Sequence, residues 1–301
     1  MALVQACKVK KTRATRLILL SFKAIPLPLR RAFFKGLFLL FYHFSPRHRF
    51  IALHNLKNSF PEKSIWELKR IARGVYRNIA LTAADFFEIP YINKSNLHKW
   101  VEVEGLENLD NAKAKGKGVL SIVAHFGNWE LMTAAVPIAS GPMYIIYRPL
   151  DSPVLEDLVT WARTHKGNLM IPKEGATKVV RRLLTQGKVI GILNDQNVSA
   201  REGVFVDFFN RPACTSPGVA YMALASGAPV IPAYMARKED GTYKFVIEPE
   251  VEMIDTGDIN QDVIANTQKF TKIVEDFVRK YPDQWFWIHQ RWKTKKSQVE
   301  S

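Results

Sequence analysis

The longest regular pattern of apolar and polar positions lies between Glu62 and Phe87. Apolar residues recur there every three to four positions, which predicts a long amphipathic helix. The residues on this face are Ile65, Leu68, Ile71, Val75, Ile79 and Thr82. Pro90 is expected to end the helix, because proline cannot continue an α-helical hydrogen-bond pattern.

Beyond this helix the chain alternates short apolar runs with further helical patterns. The runs typical of strands are Val119–Ala124, Met143–Tyr147, Val189–Asn194, Val230–Tyr234 and Tyr243–Ile247. The helical patterns are Asn128–Ala139, Pro153–His165, Ala176–Thr185, Ser216–Ser226 and Gln261–Lys280. Strands that alternate with helices indicate an α/β fold, with a sheet covered by helices on both faces.

The first 60 or so residues follow a different pattern. Two apolar runs, Leu17–Leu20 and Phe33–Phe44, are interleaved with lysine and arginine, and no acidic residue precedes Glu62. Such a mixture favours contact with an anionic membrane surface. Neither run reaches the roughly 20 residues that span a bilayer. We expect a monotopic or re-entrant anchor, with a single short span or a loosely docked basic helix as the alternatives.

The contrast between the basic, apolar first 60 residues and the rest of the chain predicts three parts. They are a membrane-anchoring segment over residues 1–60, an α/β catalytic domain over 61–295 and a short tail over 296–301.

No cleaved signal peptide is expected, because Pro26 and Arg30 follow the first apolar run where small residues should stand. Only two cysteines occur, Cys7 and Cys214, without metal or redox spacing. Few thiols fit a reducing cytoplasmic environment.

The overall charge narrows the classes of partner. The 301 residues carry a formal net charge of +15, and 47% of them are hydrophobic. The length and composition allow one large core, and the charge predicts a polyanionic partner such as nucleic acid, anionic lipid or an acidic carrier protein. RNA-binding modules carry aromatic recognition motifs. The sequence shows none, so nucleic acid is not expected.

One segment combines residues suited to catalysis: Ser121-Ile122-Val123-Ala124-His125-Phe126-Gly127-Asn128-Trp129-Glu130. The strand is expected to end at His125, Gly127 permits a tight turn, and Asn128 is a good helix cap. Such a turn lets Glu130 hold one imidazole nitrogen of His125 and leaves the other nitrogen as a base. Backbone N–H groups at the helix start could stabilise an oxyanion.

The motif has two alternative interpretations, a structural histidine and a metal site. His125 could be a capped histidine at a strand end, with Glu130 merely on the first helical turn. A zinc site is disfavoured, because the spacing lacks a second histidine on the same helix and no cysteine lies nearby. No metal or other cofactor is expected.

The segment resembles the H-x4-D/E signature of the lysophospholipid acyltransferase superfamily, and within it the late (lauroyl and myristoyl) acyltransferases of lipid A biosynthesis. Further stretches resemble that family in the family's order. They are Tyr147-Arg148-Pro149, Gly191-Ile192-Leu193-Asn194-Asp195-Gln196, Gly203-Val204-Phe205-Val206-Asp207-Phe208-Phe209, Pro212-Ala213-Cys214-Thr215, Gly227-Ala228-Pro229-Val230-Ile231-Pro232 and Trp285-Phe286-Trp287-Ile288-His289-Gln290-Arg291-Trp292-Lys293. Asn210 stands where the family usually has glycine, and Gln290 where a second arginine is common.

The resemblance implies a mixed central sheet flanked by helices, as in glycerol-3-phosphate acyltransferases. It implies transfer of a fatty acyl chain from acyl carrier protein, or from acyl-CoA, to a hydroxyl of a lipid A precursor. His125 would be the general base and Glu130 would orient it. The enzyme would act at the cytoplasmic face of the bacterial inner membrane.

Five further residues are candidates for substrate binding. Arg148, Asp195 and Gln196 follow predicted strands, where α/β proteins bind ligands, but a structural ion pair or buried network would also explain them. Asp207 could be a second acidic group near His125. Asn128 adjoins the same turn.

Two other functions stay open at this point. One is acylation of another glycolipid or phospholipid, as in the mycobacterial mannoside acyltransferases, which share the motif. The other is a nonenzymatic basic membrane-binding protein, which should not need His125.

Overall fold

A computed structural model describes residues 12–296 of the protein. Cys7 and the expected tail after residue 296 lie outside the described residues. The helices are α1 (Arg13–Ala24), α2 (Leu27–Phe44), α3 (Pro46–Ser59), α4 (Ile65–Phe86), α5 (Leu106–Ala114), α6 (Trp129–Ser140), α7 (Pro153–Thr164), α8 (Ala176–Thr185), α9 (Gly218–Ser226) and α10 (Ile259–Lys280). The strands are β1 (Val101–Glu104), β2 (Val119–Val123), β3 (Tyr144–Tyr147), β4 (Leu169–Pro172), β5 (Val189–Leu193), β6 (Val204–Asp207), β7 (Pro212–Thr215), β8 (Val230–Arg237) and β9 (Tyr243–Ile247). Two short 3₁₀ turns, Ile89–Tyr91 and Leu97–Lys99, follow α4.

Seven of these strands form one sheet, in the order β1-β9-β8-β2-β5-β3-β4. All neighbouring pairs are parallel except β8 and β9, which run antiparallel. Strands β6 and β7 form a separate antiparallel pair. The expected α/β fold with a mixed central sheet and flanking helices is therefore confirmed.

The five predicted strands and the helices after residue 61 are confirmed with small shifts at their ends. The helix expected over Glu62–Phe87 is α4, and Ser64 begins it with a reciprocal capping box to Glu67. Strand β8 continues three residues past the predicted end at Tyr234, because its extra length pairs with β9 up to Arg237↔Tyr243. Strands β1, β4, β6 and β7 and helix α5 were not predicted.

Two of the N-terminal helices, α2 and α3, pack against α4. Arg30 of α2 is fully buried, its Nε donates to the Ala84 carbonyl at 2.9 Å, and its Nη2 forms an ion pair with Glu88. Arg31 holds Asp85 with two hydrogen bonds of 2.7 and 3.0 Å. Burying an arginine requires such pairing, so these contacts fix α2 on the α/β body. Among residues 12–296, no helix combines the length and the hydrophobicity that crossing a membrane would need.

Candidate functional site

His125 and Asp195 follow two neighbouring strands at the same level of the sheet. Strands β2 and β5 are parallel and pair in the register Val123↔Leu193. His125 stands two residues beyond Val123, and Asp195 two residues beyond Leu193. The carboxyl ends of parallel strands are where α/β proteins bind ligands.

The side chains of His125 and Asp195 form a hydrogen-bonded pair. His125 Nδ1 lies 2.8 Å from Asp195 Oδ1, and the His125 backbone N–H donates to Asp195 Oδ2 at 2.9 Å. Trp285 Nε1 donates to the same Oδ2 at 2.8 Å. Asp195 is buried, and burial alone would raise the pKa of its carboxyl. Attraction to His125 and these hydrogen bonds outweigh burial and lower that pKa to about 2. Asp195 is therefore a carboxylate that can orient the imidazole and stabilise its protonated form.

Glu130 has a different partner from the one expected. Its carboxylate accepts hydrogen bonds from Arg163 Nε at 2.9 Å, Arg163 Nη2 at 2.6 Å and Trp129 Nε1 at 3.0 Å. The expected hydrogen bond between Glu130 and the His125 imidazole is corrected, because Asp195 occupies Nδ1. Glu130 lies in the first turn of α6, which places it opposite Arg163 of α7. Burial would raise the pKa of Glu130, but the Arg163 charge outweighs it and keeps that pKa below its usual value.

The turn between His125 and α6 is fixed by close packing at Gly127. This residue has φ +56°, and a Cβ there would lie 1.6 Å from the Met235 carbonyl oxygen. The Gly127 N–H donates to the Gln284 carbonyl at 2.8 Å, and Asn78 Nδ2 and Thr82 Oγ1 donate to the Gly127 carbonyl. The glycine predicted to permit a turn is thus required both by its backbone angle and by space.

The donors predicted for an oxyanion at the helix start are in part engaged. The Asn128 N–H donates to the Met235 carbonyl at 3.2 Å, and the Gly127 N–H donates to the Gln284 carbonyl at 2.8 Å, so neither N–H is free for an oxyanion. Gln196 Nε2 lies 3.5 Å from His125 Nε2, at the outer limit of a hydrogen bond. Its amide is therefore beside the imidazole nitrogen that Asp195 leaves free.

Asn128, Arg148 and Asp207, the remaining predicted site residues, form their contacts with groups other than this pair. Asn128 is fully buried, caps α6 through the Leu131 N–H and donates to the Tyr243 hydroxyl, so its predicted role in substrate binding is corrected to a structural one. Arg148 follows β3 as expected, but its side chain is 81% exposed, 3.8 Å from Asp151. Asp207 ends β6, where its backbone exchanges hydrogen bonds with Gln268 of α10. The acidic side chain beside His125 is Asp195, not Asp207.

An apolar cavity adjoins the pair on one face of the sheet. Val123 and Leu193, which line it, directly precede the segments that carry His125 and Asp195. Trp129, also in the wall, packs edge-on against the His125 ring with centroids 5.6 Å apart. Val189 lines the cavity four residues before Leu193, so the cavity extends at least roughly 13 Å along the strands. The other wall residues are Leu109, Ser121, Met132, Thr133, Val136, Met143, Ile145, Arg163, Gly191, Ile231, Ala233, Phe245 and Ile247.

The structure adds residues that the sequence did not single out for the site. Arg163 was only one cation among many, and no spacing linked it to Glu130. Trp285 lies in a tryptophan-rich stretch that is more typical of packing than of catalysis, yet its indole N–H donates to Asp195 Oδ2. His289 Nε2 accepts from the Asn197 N–H at 2.9 Å, next to Gln196. Burial, reinforced by Arg291 and His125 and opposed by Asp195, lowers the pKa of His289 to about 4.

This arrangement suits proton removal from a substrate that has an apolar tail. The imidazole has one nitrogen held by a carboxylate and the other directed away from that carboxylate, which is the geometry of a general base. The neighbouring cavity can take a hydrocarbon chain out of water.

Comparison with known proteins identifies the family. Residues 11–294 match the model of the bacterial lipid A biosynthesis acyltransferases. The chain is similar to the lipid A biosynthesis palmitoleoyltransferase of Escherichia coli (strain K12), with 28% identity over 84% of this chain and 81% of the relative. It is 27% identical to the lauroyltransferase of the same organism, over 88% of this chain and 86% of the relative. A phosphatidylinositol mannoside acyltransferase of Mycobacterium tuberculosis (strain ATCC 25618 / H37Rv) is 24% identical over 69% of this chain and 66% of that protein. The resemblance seen in the motifs is thereby confirmed, and the chain belongs to the bacterial lipid A biosynthesis acyltransferase family.

Proposed function

We propose that the protein transfers a fatty acyl chain from an acyl thioester to a hydroxyl of a lipid A precursor, with His125 as the general base. The observation that carries this proposal is the His125–Asp195 pair at one end of an apolar cavity. The pair supplies a base, and the cavity supplies a place for the acyl chain. Family membership supports lipid A as the acceptor.

The reaction needs the hydroxyl proton to leave as the new bond forms. His125 Nε2 takes the proton while the hydroxyl oxygen attacks the thioester carbonyl. The tetrahedral oxyanion then collapses, the C–S bond breaks, and the thiolate takes the proton back from the imidazolium. Asp195 favours the imidazolium in between, because its carboxylate bonds the other ring nitrogen.

The oxyanion needs hydrogen-bond donors close to His125. Gln196 Nε2 is within 3.5 Å of His125 Nε2, on the side that a reacting hydroxyl must approach. Arg163 lines the cavity and uses Nε and Nη2 to bind Glu130. In this mechanism the role of Glu130 is to position Arg163: its carboxylate holds the guanidinium at the wall of the cavity.

The acyl donor is proposed to be a thioester of acyl carrier protein, with acyl-CoA as the alternative. Both donors are anionic and suit a chain with a net charge of +15. A purified acyl-acyl carrier protein and the matching acyl-CoA, offered to the same enzyme with a lipid A precursor, separate the two. Faster turnover of the CoA thioester in this direct competition would overturn the preference for carrier protein.

The exposed face of α1–α3 is proposed to lie on the cytoplasmic leaflet of the bacterial inner membrane. Large apolar side chains stand exposed there, among them Phe33, Leu40 and Phe44, the last 81% exposed. Deleting the segment would not test this, because Arg30 and Leu56 within it are fully buried. Replacing those three exposed residues with serine should move the protein from membranes to the soluble fraction. The control is Ile264→Ser, at an exposed position of α10. Equal retention of both proteins on membranes would contradict the anchor.

The whole function is tested by product analysis. Purified protein is incubated with an acyl thioester and a lipid A precursor, and the products are weighed by mass spectrometry. A gain of one acyl group, lost in His125→Ala, is expected. Acylation of a phosphatidylinositol mannoside but not of the lipid A precursor would instead favour an activity like that of the mycobacterial mannoside acyltransferase.

A further inference from the structure

A second pocket lies between α3 and the C-terminal segment. Phe50 and His54 of α3 form one side, and Arg211, Trp292, Lys293 and Lys295 contribute to the other. It shares no lining residue with the apolar cavity beside His125. The two sites therefore take different ligands or different parts of one ligand.

Two buried donors in this pocket have no acceptor. Arg211 Nη1 and Trp292 Nε1 are both inaccessible to solvent and lack a hydrogen-bond partner. Trp292 is only 6% exposed, and the Arg211 guanidinium stacks over its ring at 4.5 Å. Leaving such groups unpaired is unfavourable. Both residues line the pocket, so an acceptor that enters it and displaces the atoms covering these two donors would satisfy them.

The surroundings of these donors are cationic. Arg211 forms no ion pair with any of the described residues. Burial lowers the pKa of its guanidinium. His54, Lys293 and Lys295 line the same pocket, and none of the described residues in its wall is an aspartate or a glutamate. A ligand that satisfies these groups must be an anion rich in acceptor oxygens, for which a planar guanidinium fork and an indole N–H are suited.

We propose that this pocket binds a phosphate group, carried either by a lipid or by a soluble molecule. Phe50 lines the pocket and is 69% exposed. Its ring offers an apolar contact that a phosphorylated lipid could use and inorganic phosphate could not. This site goes beyond the proposed acyl transfer, since none of its lining residues belongs to the cavity beside His125 or to the His125–Asp195 pair. Its test is a binding measurement, so its failure and that of the proposed function are distinguishable.

The experiment measures binding to the full-length protein in neutral detergent. The probes are inorganic phosphate, short-chain phosphatidic acid and sodium chloride at matched ionic strength. The variants are Arg211→Gln and Trp292→Phe, and the control is Lys178→Gln, which removes one surface charge from α8. We expect both pocket variants to bind phosphatidic acid at least about tenfold more weakly than Lys178→Gln, because a charged donor or a desolvated N–H is lost.

Trp292→Phe separates a ligand role from a structural one. The substitution keeps an aromatic ring under Arg211 and removes only the unpaired indole donor. Its melting temperature without ligand should therefore not fall, while its affinity for the phosphate probes does. Tighter binding of phosphatidic acid than of phosphate, reduced in Phe50→Ser, assigns a lipid as the source, and equal binding assigns a soluble phosphate. Affinities of Arg211→Gln and Trp292→Phe equal to that of Lys178→Gln for both probes would overturn the site.

Discussion

His125 Nδ1 lies 2.8 Å from Asp195 Oδ1, and the two residues reach this contact from equivalent positions beyond adjacent parallel strands. The His125 backbone N–H also binds the same carboxylate. A side chain held through both its backbone and its ring has little freedom to turn. Asp195 is therefore a positioning residue for the base, and Trp285 positions Asp195 in turn.

Removing either member of this pair should reduce the rate of acyl transfer. His125→Ala should lower kcat by about 10² to 10⁴, the usual contribution of a general base. Asp195→Asn should lower kcat with little change in KM for the thioester, because the base is misoriented but the cavity is intact. The control is Asp207→Asn, on the separate β6–β7 pair, and circular dichroism would check that each variant is folded.

The kinetic constants of Asp195→Asn distinguish positioning from a structural effect. A misoriented base slows the chemical step, so the folded variant should keep its KM and lose kcat. A merely destabilised protein would instead lose active enzyme in proportion to the fraction that circular dichroism shows to be unfolded. A near wild-type kcat in folded Asp195→Asn would contradict the role given to Asp195.

Glu130 and Arg163 should behave as one unit. Glu130→Gln and Arg163→Gln each leave a buried charge without its partner, and losses of about 3–5 kcal/mol in unfolding free energy are typical of such changes. If Glu130 acts on catalysis through Arg163, the loss of kcat in the double variant should be smaller than the product of the two single losses. Strict multiplication of the two effects, measured in a double-mutant cycle, would mean that Glu130 acts by another route.

The sequence predicted the strands and helices around the site well, because their apolar runs are long and their turn residues are clear. It placed both His125 and Asp195 at strand ends. It could not predict which acid would meet the imidazole, since that depends on β5 lying beside β2, a neighbour relationship between residues about 70 positions apart. The motif spacing favoured Glu130, and only the position of α7 shows that Arg163 takes this carboxylate. Strands β1 and β4 lie at the sheet edges and have few apolar residues in sequence: β1 reads Val-Glu-Val-Glu, and β4 has three apolar residues before Pro172. Strand β3 was detected because its apolar run extends over five residues, Met143–Tyr147.

Gly191 should set the length of acyl chain that the cavity accepts. It lies on β5 between Val189 and Leu193, and an added Cβ would first meet Met143 Sδ at 3.5 Å, an ordinary contact. A larger side chain therefore enters the cavity without displacing backbone. Gly191→Ala should be tolerated, and Gly191→Leu should shift preference to chains shorter by on the order of two to four carbons, because each excluded methylene forfeits about 0.8 kcal/mol of burial.

Competition among acyl thioesters of different lengths, read by mass spectrometry of the products, measures this preference. The matched control is Ala223→Val on α9, which packs on the opposite face of the sheet. An unchanged length distribution in a folded, active Gly191→Leu protein would show that the acyl chain lies elsewhere.

His289 should make the fold less stable as the pH falls from about 6.5 to 4. The unfolded chain binds a proton near the usual pKa of 6.5, whereas burial delays protonation of the folded protein to a pKa of about 4. Between these values the unfolded state holds more protons, so each unit of acidification costs up to about 1.4 kcal/mol of unfolding free energy. The total from this residue is no more than about 3.4 kcal/mol, and partial exposure of the imidazole reduces it.

The substitution His289→Gln isolates this contribution from that of the carboxylates. A glutamine oxygen can still accept the Asn197 N–H, but it cannot take up a proton. We therefore expect the difference in unfolding free energy between wild type and His289→Gln to change with pH between 6.5 and 4 and to be constant above pH 7.5. Asp195 is present in both proteins, so its own contribution to the pH dependence of unfolding largely cancels in this difference. Denaturant unfolding in a neutral detergent at several pH values gives the two curves. Parallel curves across the whole range would show that the imidazole titrates alike in the folded and unfolded states, and the burial argument for His289 would then be wrong.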